Sequence, residues 1–132
     1  MVFEGFRSSP KDAKAVQVGG ASGACVPRSE FHRKIAFEDI PTGGSIIVFG
    51  PERDMLAVAK NFLEFFVEES CGQCTPCRVG TAKAARLMEA PKWDAGLLEE
   101  LSQAMADASI CGLGQAAPNP IRCVIKHFPH EV

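Results

Sequence analysis

What the sequence lacks narrows what it can be. It has no basic excess: 14 Lys and Arg against 16 Asp and Glu leave a formal net charge of −2, so the positive field that nucleic-acid binding needs is missing. No apolar run approaches the roughly 20 residues of a membrane-spanning helix. The start, Met1-Val2-Phe3-Glu4-Gly5-Phe6-Arg7, has no basic region followed by an apolar one, so no export signal is expected and the chain is assigned to the cytoplasm. The glycine-rich stretch Gly19-Gly20-Ala21-Ser22-Gly23 lacks the Lys-Ser/Thr of a P-loop and does not fit G-x-G-x-x-G. Either it approaches a phosphate or flavin closely, or it is a tight strand-to-loop reversal. His32, His127 and His130 have no carboxylate at a triad-like spacing, so no catalytic residue is expected.

What is present is cysteine in a pattern. Cys71-Gly72-Gln73-Cys74-Thr75-Pro76-Cys77 is answered after a long interval by Ile110-Cys111-Gly112-Leu113-Gly114. Three thiols at two-residue spacing cannot share one helical stripe or one strand face, but a turning backbone can aim them at one centre. The glycines after Cys111 allow close approach to a bulky ligand, which makes it the fourth donor. The inventory reads as one [4Fe–4S] cluster held by Cys71, Cys74, Cys77 and Cys111. Structural zinc also takes four thiolates but usually shows paired C-x₂-C units, and redox or merely buried thiols form a third reading. Only Cys25 and Cys123 remain, too few for a second cluster; Cys25 is expected to be a small buried hydrophobe and Cys123 a packing or near-surface residue, not a ligand. A thiolate-bound cluster calls for a reducing compartment. Such a cluster carries about −2 oxidised and about −3 reduced, so cations and amide donors nearby favour its reduction. Arg78, directly after a ligand, and the amides around Gly72, Gly112 and Gly114 are the candidates for that role. Lys83 and Arg86 are expected to be solvated.

The 132 residues support one modest core or two small ones. Residues 1–14 show little periodicity and are expected to fray. Ala15–Val18 reads as a short strand, and Ser45–Phe49 is the strongest β signal; without alternation, both its faces are expected to be covered. These segments suggest a small mixed sheet over 14–50. At Asp54 the period changes to helical, with Leu56, Val58, Ala59, Phe62, Leu63, Phe65, Phe66 and Val67 forming a broad apolar stripe expected to be core. A second helix is expected over Pro76–Glu89, a third from Asp94 with Leu97, Leu98, Leu101, Met105 and Ala108, and a fourth capped by Asn119 with Pro120 in its first turn. The segment Gly114–Pro120 reads as a turn region. The fold class is α+β: a small sheet, then four helices around the metal centre.

At these residues the chain resembles a known family. Glu69-Ser70-Cys71-Gly72-Gln73-Cys74-Thr75-Pro76-Cys77-Arg78-Val79-Gly80-Thr81 is similar to the cluster-binding segment of the flavoprotein subunit of NADH:quinone oxidoreductase. Cys111-Gly112-Leu113-Gly114-Gln115-Ala116-Ala117-Pro118-Asn119-Pro120 resembles the second half of that site. The likeness is greatest to the diaphorase subunit of soluble NAD-reducing nickel–iron hydrogenases and to NAD-dependent formate dehydrogenases. Val16–Gly23 with Ile35–Gly44 is similar to the β-grasp-like domain of the SLBB type that precedes the site there. The resemblance implies a β-grasp-like domain over 1–52 with a flexible N-terminus, and a helical [4Fe–4S]-binding domain over 53–132. It implies electron transfer through the cluster, with FMN and NAD(H) bound not by this chain but by a flavin/NAD-binding partner. Further iron–sulfur subunits are expected beyond it, in a hydrogenase, formate dehydrogenase or NADH dehydrogenase complex. The large domain that binds FMN and NAD(H) in the family has no counterpart here, so no NADH oxidation by this chain alone is expected. The alternative is a structural or assembly module in which the metal centre mainly holds the helices together.

Overall fold

The computed structural model describes residues 12–132, which form two compact units dividing between Arg53 and Asp54. Among the described residues, three strands precede the helices, and the fold is α+β as expected. The expected fraying falls, for residues 1–11, outside the described residues. By Lys14 the chain has joined the sheet, its amide donating to Phe49 O at 2.8 Å.

In the first unit, β1 (Ala15–Val18), β2 (Ala24–Pro27) and β3 (Ile46–Phe49) lie in the order β2-β1-β3. Both pairings are antiparallel, with Val16 opposite Val26 and Val48, which corrects the expectation of a mixed sheet. Val16, Val18, Val26 and Ile40 are fully buried, and Ala24, Phe31, Ile35 and Val48 pack around them. The glycine-rich stretch closes the β1–β2 hairpin: Gly19 and Gly20 take positive φ, Gly23 N donates to Gly20 O at 3.0 Å, and Gln17 Nε2 reaches the same carbonyl at 2.7 Å. Of its two readings, the tight reversal describes the chain. β3 is an edge strand, and the expectation that both its faces are covered does not hold: Ile46 and Ile47 are each 37 % exposed. Beside the sheet, Arg33 ties the 30–39 loop through Asp39 (2.9 Å from Nε) and Glu30 (3.0 Å). The guanidinium of Arg33, with the Lys34 amide, holds the Asp39 carboxyl below the usual carboxylate range.

The second unit is helical. α1 (Met55–Glu68) starts where expected, with Asp54 Oδ1 accepting from Leu56 N at 2.9 Å and Ala57 N at 3.2 Å, a cap that satisfies amides left without helical partners. Its buried positions are Met55, Ala59, Leu63 and Phe66, a narrower stripe than the sequence suggests; Phe65 is 47 % exposed. α2 (Thr75–Leu87) is followed by Trp93, which is buried and donates from Nε1 to Met88 O at 3.2 Å. α3 (Ala95–Ala108) is capped by Asp94, which accepts from Leu97 N at 3.0 Å. Leu98, Ser102 and Met105 form its buried row. The region read as a turn is entered by a five-residue helix, α4 (Gly112–Ala116), which overlaps its first three residues. α5 (Asn119–His127) begins one residue earlier than expected: Pro118 occupies the cap position and Asn119 lies inside the helix. Cys123 is buried within α5.

α2 and α3 meet at a glycine. A Cβ on Gly80 would stand 2.6 Å from Met105 Cγ and 2.9 Å from its Sδ, so the absent side chain sets the helix separation. Gly80→Ala is expected to destabilise the second unit by about 1 kcal/mol. Overpacking costs about 1–3 kcal/mol, and the better helix propensity of alanine returns about 1 kcal/mol. Urea unfolding of the two proteins checks this, and an unchanged or higher midpoint for the variant would show that Met105 moves aside freely.

Candidate metal centre

The first cysteine segment leaves α1 after Glu69, whose amide still bonds Phe65 O at 2.9 Å. Gly72 then reverses the chain at φ +75°, a backbone state that other residues enter only at a cost. The turn is fastened on both sides: Gly72 N donates to Ser70 Oγ at 3.3 Å, and Arg78 Nη1 donates to Gly72 O. Arg78 therefore acts first on the loop, fixing the backbone that carries Cys71 and Cys74. Cys74 is the extended residue at the start of α2, and Cys77 lies in the first turn of that helix, where unpaired amides and the helix dipole favour negative charge. Cys77 is buried, its sulfur 3.4 Å from Ser70 Oγ, and its carbonyl accepts from Thr81 Oγ1 at 2.8 Å. Cys71 is exposed and Cys74 half-buried.

The second segment leaves α3 in extended conformation at Ser109 and reaches Cys111, the exposed residue ahead of α4. Ser109 is fastened through its backbone: its amide bonds Met105 O at 3.2 Å, and its carbonyl accepts from Gln115 Nε2 at 3.1 Å. Gly114 then packs against both segments. A Cβ there would stand 2.6 Å from Ser109 Cβ and 2.9 Å from Cys77 Cβ. Across residues 77 and 114 the two cysteine segments touch, although 34 positions separate Cys77 and Cys111 (111 − 77) in the chain. At Gly112 nothing lies within 4 Å of where a Cβ would be.

Cys74 is also tied electrically to the second segment. The amide of Ile110, foremost, then that of Cys77, the Ser109 hydroxyl and its own amide hold the Cys74 thiol below the ordinary thiol range, against the opposing effect of burial. A thiol stabilised as thiolate is the form that binds metal. Ser109 Oγ makes no hydrogen bond of ordinary geometry, yet it lies near enough to the Cys74 sulfur to favour the thiolate.

Cys71, Cys74, Cys77 and Cys111 carry free thiols. Among the described residues, no three His, Cys, Asp or Glu side chains close on one point tightly enough for a single ion. A cubane binds each thiolate at a separate iron and so takes its sulfurs farther apart than one ion does. Two packed thiol-bearing turns, converging amide donors and a glycine contact that holds them together form a donor set that fits such a cluster. Cys25, in β2, and Cys123, in α5, belong to neither cysteine turn. Lys83 and Arg86 are exposed on α2. Ser70 and Ser109 are the residues that pattern reasoning missed; the available signal was a hydroxyl one or two positions before a ligand-type cysteine.

Comparisons with known proteins place the chain in a family. Residues 57–132 match the NADH-ubiquinone oxidoreductase-F iron–sulfur binding region, and the chain belongs to that family. It is 37 % identical to the NAD-reducing hydrogenase HoxS subunit alpha of Cupriavidus necator, over 90 % of this chain and 21 % of that protein. It is 34 % identical to the NADP-reducing hydrogenase subunit HndC of Solidesulfovibrio fructosivorans, over 92 % of this chain and 27 % of that one. The crystal structure of NAD⁺-reducing [NiFe]-hydrogenase in the H₂-reduced state superposes with a TM-score of 0.85 at 41 % identity, covering 91 % of this chain and 22 % of that one. The chain thus spans between about a fifth and just over a quarter of these curated relatives. No helix among the described residues is long and apolar enough to cross a membrane.

Proposed function

We propose that Cys71, Cys74, Cys77 and Cys111 hold one [4Fe–4S] cluster, through which this chain relays single electrons between a flavin/NAD(H) site and further iron–sulfur centres of a multi-subunit oxidoreductase. The observation that carries the reading is the packing of the two cysteine turns on each other at Gly114, where a Cβ would stand 2.9 Å from Cys77 Cβ and only glycine fits. The family match over residues 57–132 supports it. Bound there, the cluster would supply one-electron exchange without large rearrangement. The protein's own part is to hold four thiolates on two turns, to donate the Ile110 and Cys77 amides toward sulfur, and to fix the loop through Arg78. Residues 53–132 are assigned to the cluster domain and 1–52 to a β-grasp-like domain that precedes it. FMN and NAD(H) are assigned to a flavin/NAD-binding partner, as the family resemblance implies. The cytoplasm is the assigned compartment, since it keeps thiols reduced.

Elemental analysis tests the cluster. Chain purified without oxygen is expected to be brown, with about four irons and about four sulfides per chain. Stoichiometric zinc without sulfide would overturn the reading. A full cluster that no NADH-reduced flavoprotein partner can reduce, at a poise where dithionite does, would leave the cluster standing and remove the relay.

A further inference from the structure

Ser109 carries a buried hydroxyl at the second cysteine turn. It is 94 % buried (100 − 6), and its Oγ has no hydrogen-bond partner. A buried hydroxyl left unpaired is costly, and native proteins keep few of them. The residue is held at its amide by Met105 O and at its carbonyl by Gln115 Nε2, and its side chain lies against Gly114 and near the Cys74 sulfur. Serine at the same kind of position is already paired with sulfur elsewhere in the site. Ser70 Oγ accepts the Gly72 amide, so its own proton is free for Cys77 Sγ at 3.4 Å.

We propose that Ser109 is a positioning residue for the metal centre, whose hydroxyl donates to the sulfur of the bound cluster and thereby raises its reduction potential. This rests on the assignment of a [4Fe–4S] cluster to these turns. A donor at sulfur stabilises the more negative, reduced state more than the oxidised one. It also pairs the hydroxyl that is otherwise orphaned, so the cost of burying it disappears when the cluster is in place. Gln115 belongs to the same device, because its amide holds the Ser109 carbonyl and hence the direction of the side chain.

Three forms of the full chain, wild type, Ser109→Ala and Ser109→Thr, are loaded with iron and sulfide under anaerobic conditions and taken through a redox titration with electron paramagnetic resonance as readout. At the potential where wild type is half reduced, Ser109→Ala is expected to show a reduced-to-oxidised ratio lower by about threefold or more, the share of a charge-assisted hydrogen bond that separates charge states one unit apart. Ser109→Thr, which keeps the hydroxyl, is expected to titrate with wild type. A cluster retained in Ser109→Thr but lost from Ser109→Ala would also support the donor role. An unchanged potential in Ser109→Ala would overturn it, and so would equal loss of cluster from both variants, which would make Ser109 a packing residue. Failure of the cluster assignment itself reads differently: the wild type would then hold no sulfide.

Discussion

Replacing Gly114 by alanine is expected to cost the chain its metal centre, while the same change at Gly112 is expected to be tolerated. The difference is geometric. At Gly112 an added methyl meets nothing within 4 Å, whereas at Gly114 it would lie 2.6 Å from Ser109 Cβ and 2.9 Å from Cys77 Cβ. Neither of those atoms is the far end of a flexible side chain. Ser109 is fixed through Met105 and Gln115, and Cys77 sits in the first turn of α2 with Thr81 bonded to its carbonyl. Relief must come from separating α4 from α2, which moves Cys111 away from Cys77. Overpacking of this kind costs about 1–3 kcal/mol, more than the roughly 1 kcal/mol that alanine returns in helix propensity. Misplacing the supports of a metal site typically lowers metal affinity by about 10–100-fold. Iron and sulfide per chain, measured on both variants after identical reconstitution, decide the matter. A full cluster in Gly114→Ala, or loss from Gly112→Ala alone, would contradict the packing account.

The same glycine shows where sequence reading reaches its limit. Gly112 and Gly114 are read as room for a bulky ligand, and Gly114–Pro120 as a turn region. In the structure Gly114 lies within a helix, and contact with Cys77 and Ser109 leaves no room for a side chain there, a tertiary reason for glycine that is invisible in local propensity. β2 escaped for a related cause: Ala24-Cys25-Val26-Pro27 is four residues long and ends in proline, below the length at which alternation can be recognised. Local signals with a local cause were legible. Asp54 and Asp94 cap their helices because each carboxylate needs only the amides two or three residues on. The cysteine spacing was legible because thiolate chemistry leaves few alternatives. Periodicity located α1 but not how much of its stripe is covered, since Phe65 and Phe66 are equally apolar and only Phe66 is buried. Ser45–Phe49 read as covered on both faces because lack of alternation cannot distinguish a central strand from an edge.

Cys111→Ser is expected to remove most of the cluster and to loosen the end of the helical unit that carries it, whereas Cys123→Ser is expected to leave the cluster spectrum intact. Cys111 stands exposed ahead of α4, and a helix of five residues has too few internal bonds to hold itself. What fixes it is Gly114 on one side and, in the reading proposed above, the thiolate of Cys111 on the other. Serine puts a hydroxyl in that place, which stays protonated at neutral pH and is a hard ligand where iron–sulfur chemistry favours a soft one. Three thiolates then remain for a centre that takes four, and because ligand binding and folding are linked, the loss is felt in the fold. The Gln115 and Ala117 amides, which bond Cys111 O at 3.3 Å and Leu113 O at 3.0 Å, are expected to exchange with solvent faster in Cys111→Ser than in the loaded wild type. Chelator treatment of the wild type is expected to reproduce that change, since it removes the same tie from the other end. Cys123, by contrast, lies within α5 and contributes to neither cysteine turn. Visible absorbance, iron content and amide exchange on the three proteins provide the comparison. Full absorbance in Cys111→Ser together with bleaching in Cys123→Ser would assign the fourth thiolate to α5 and move the centre away from Gly114.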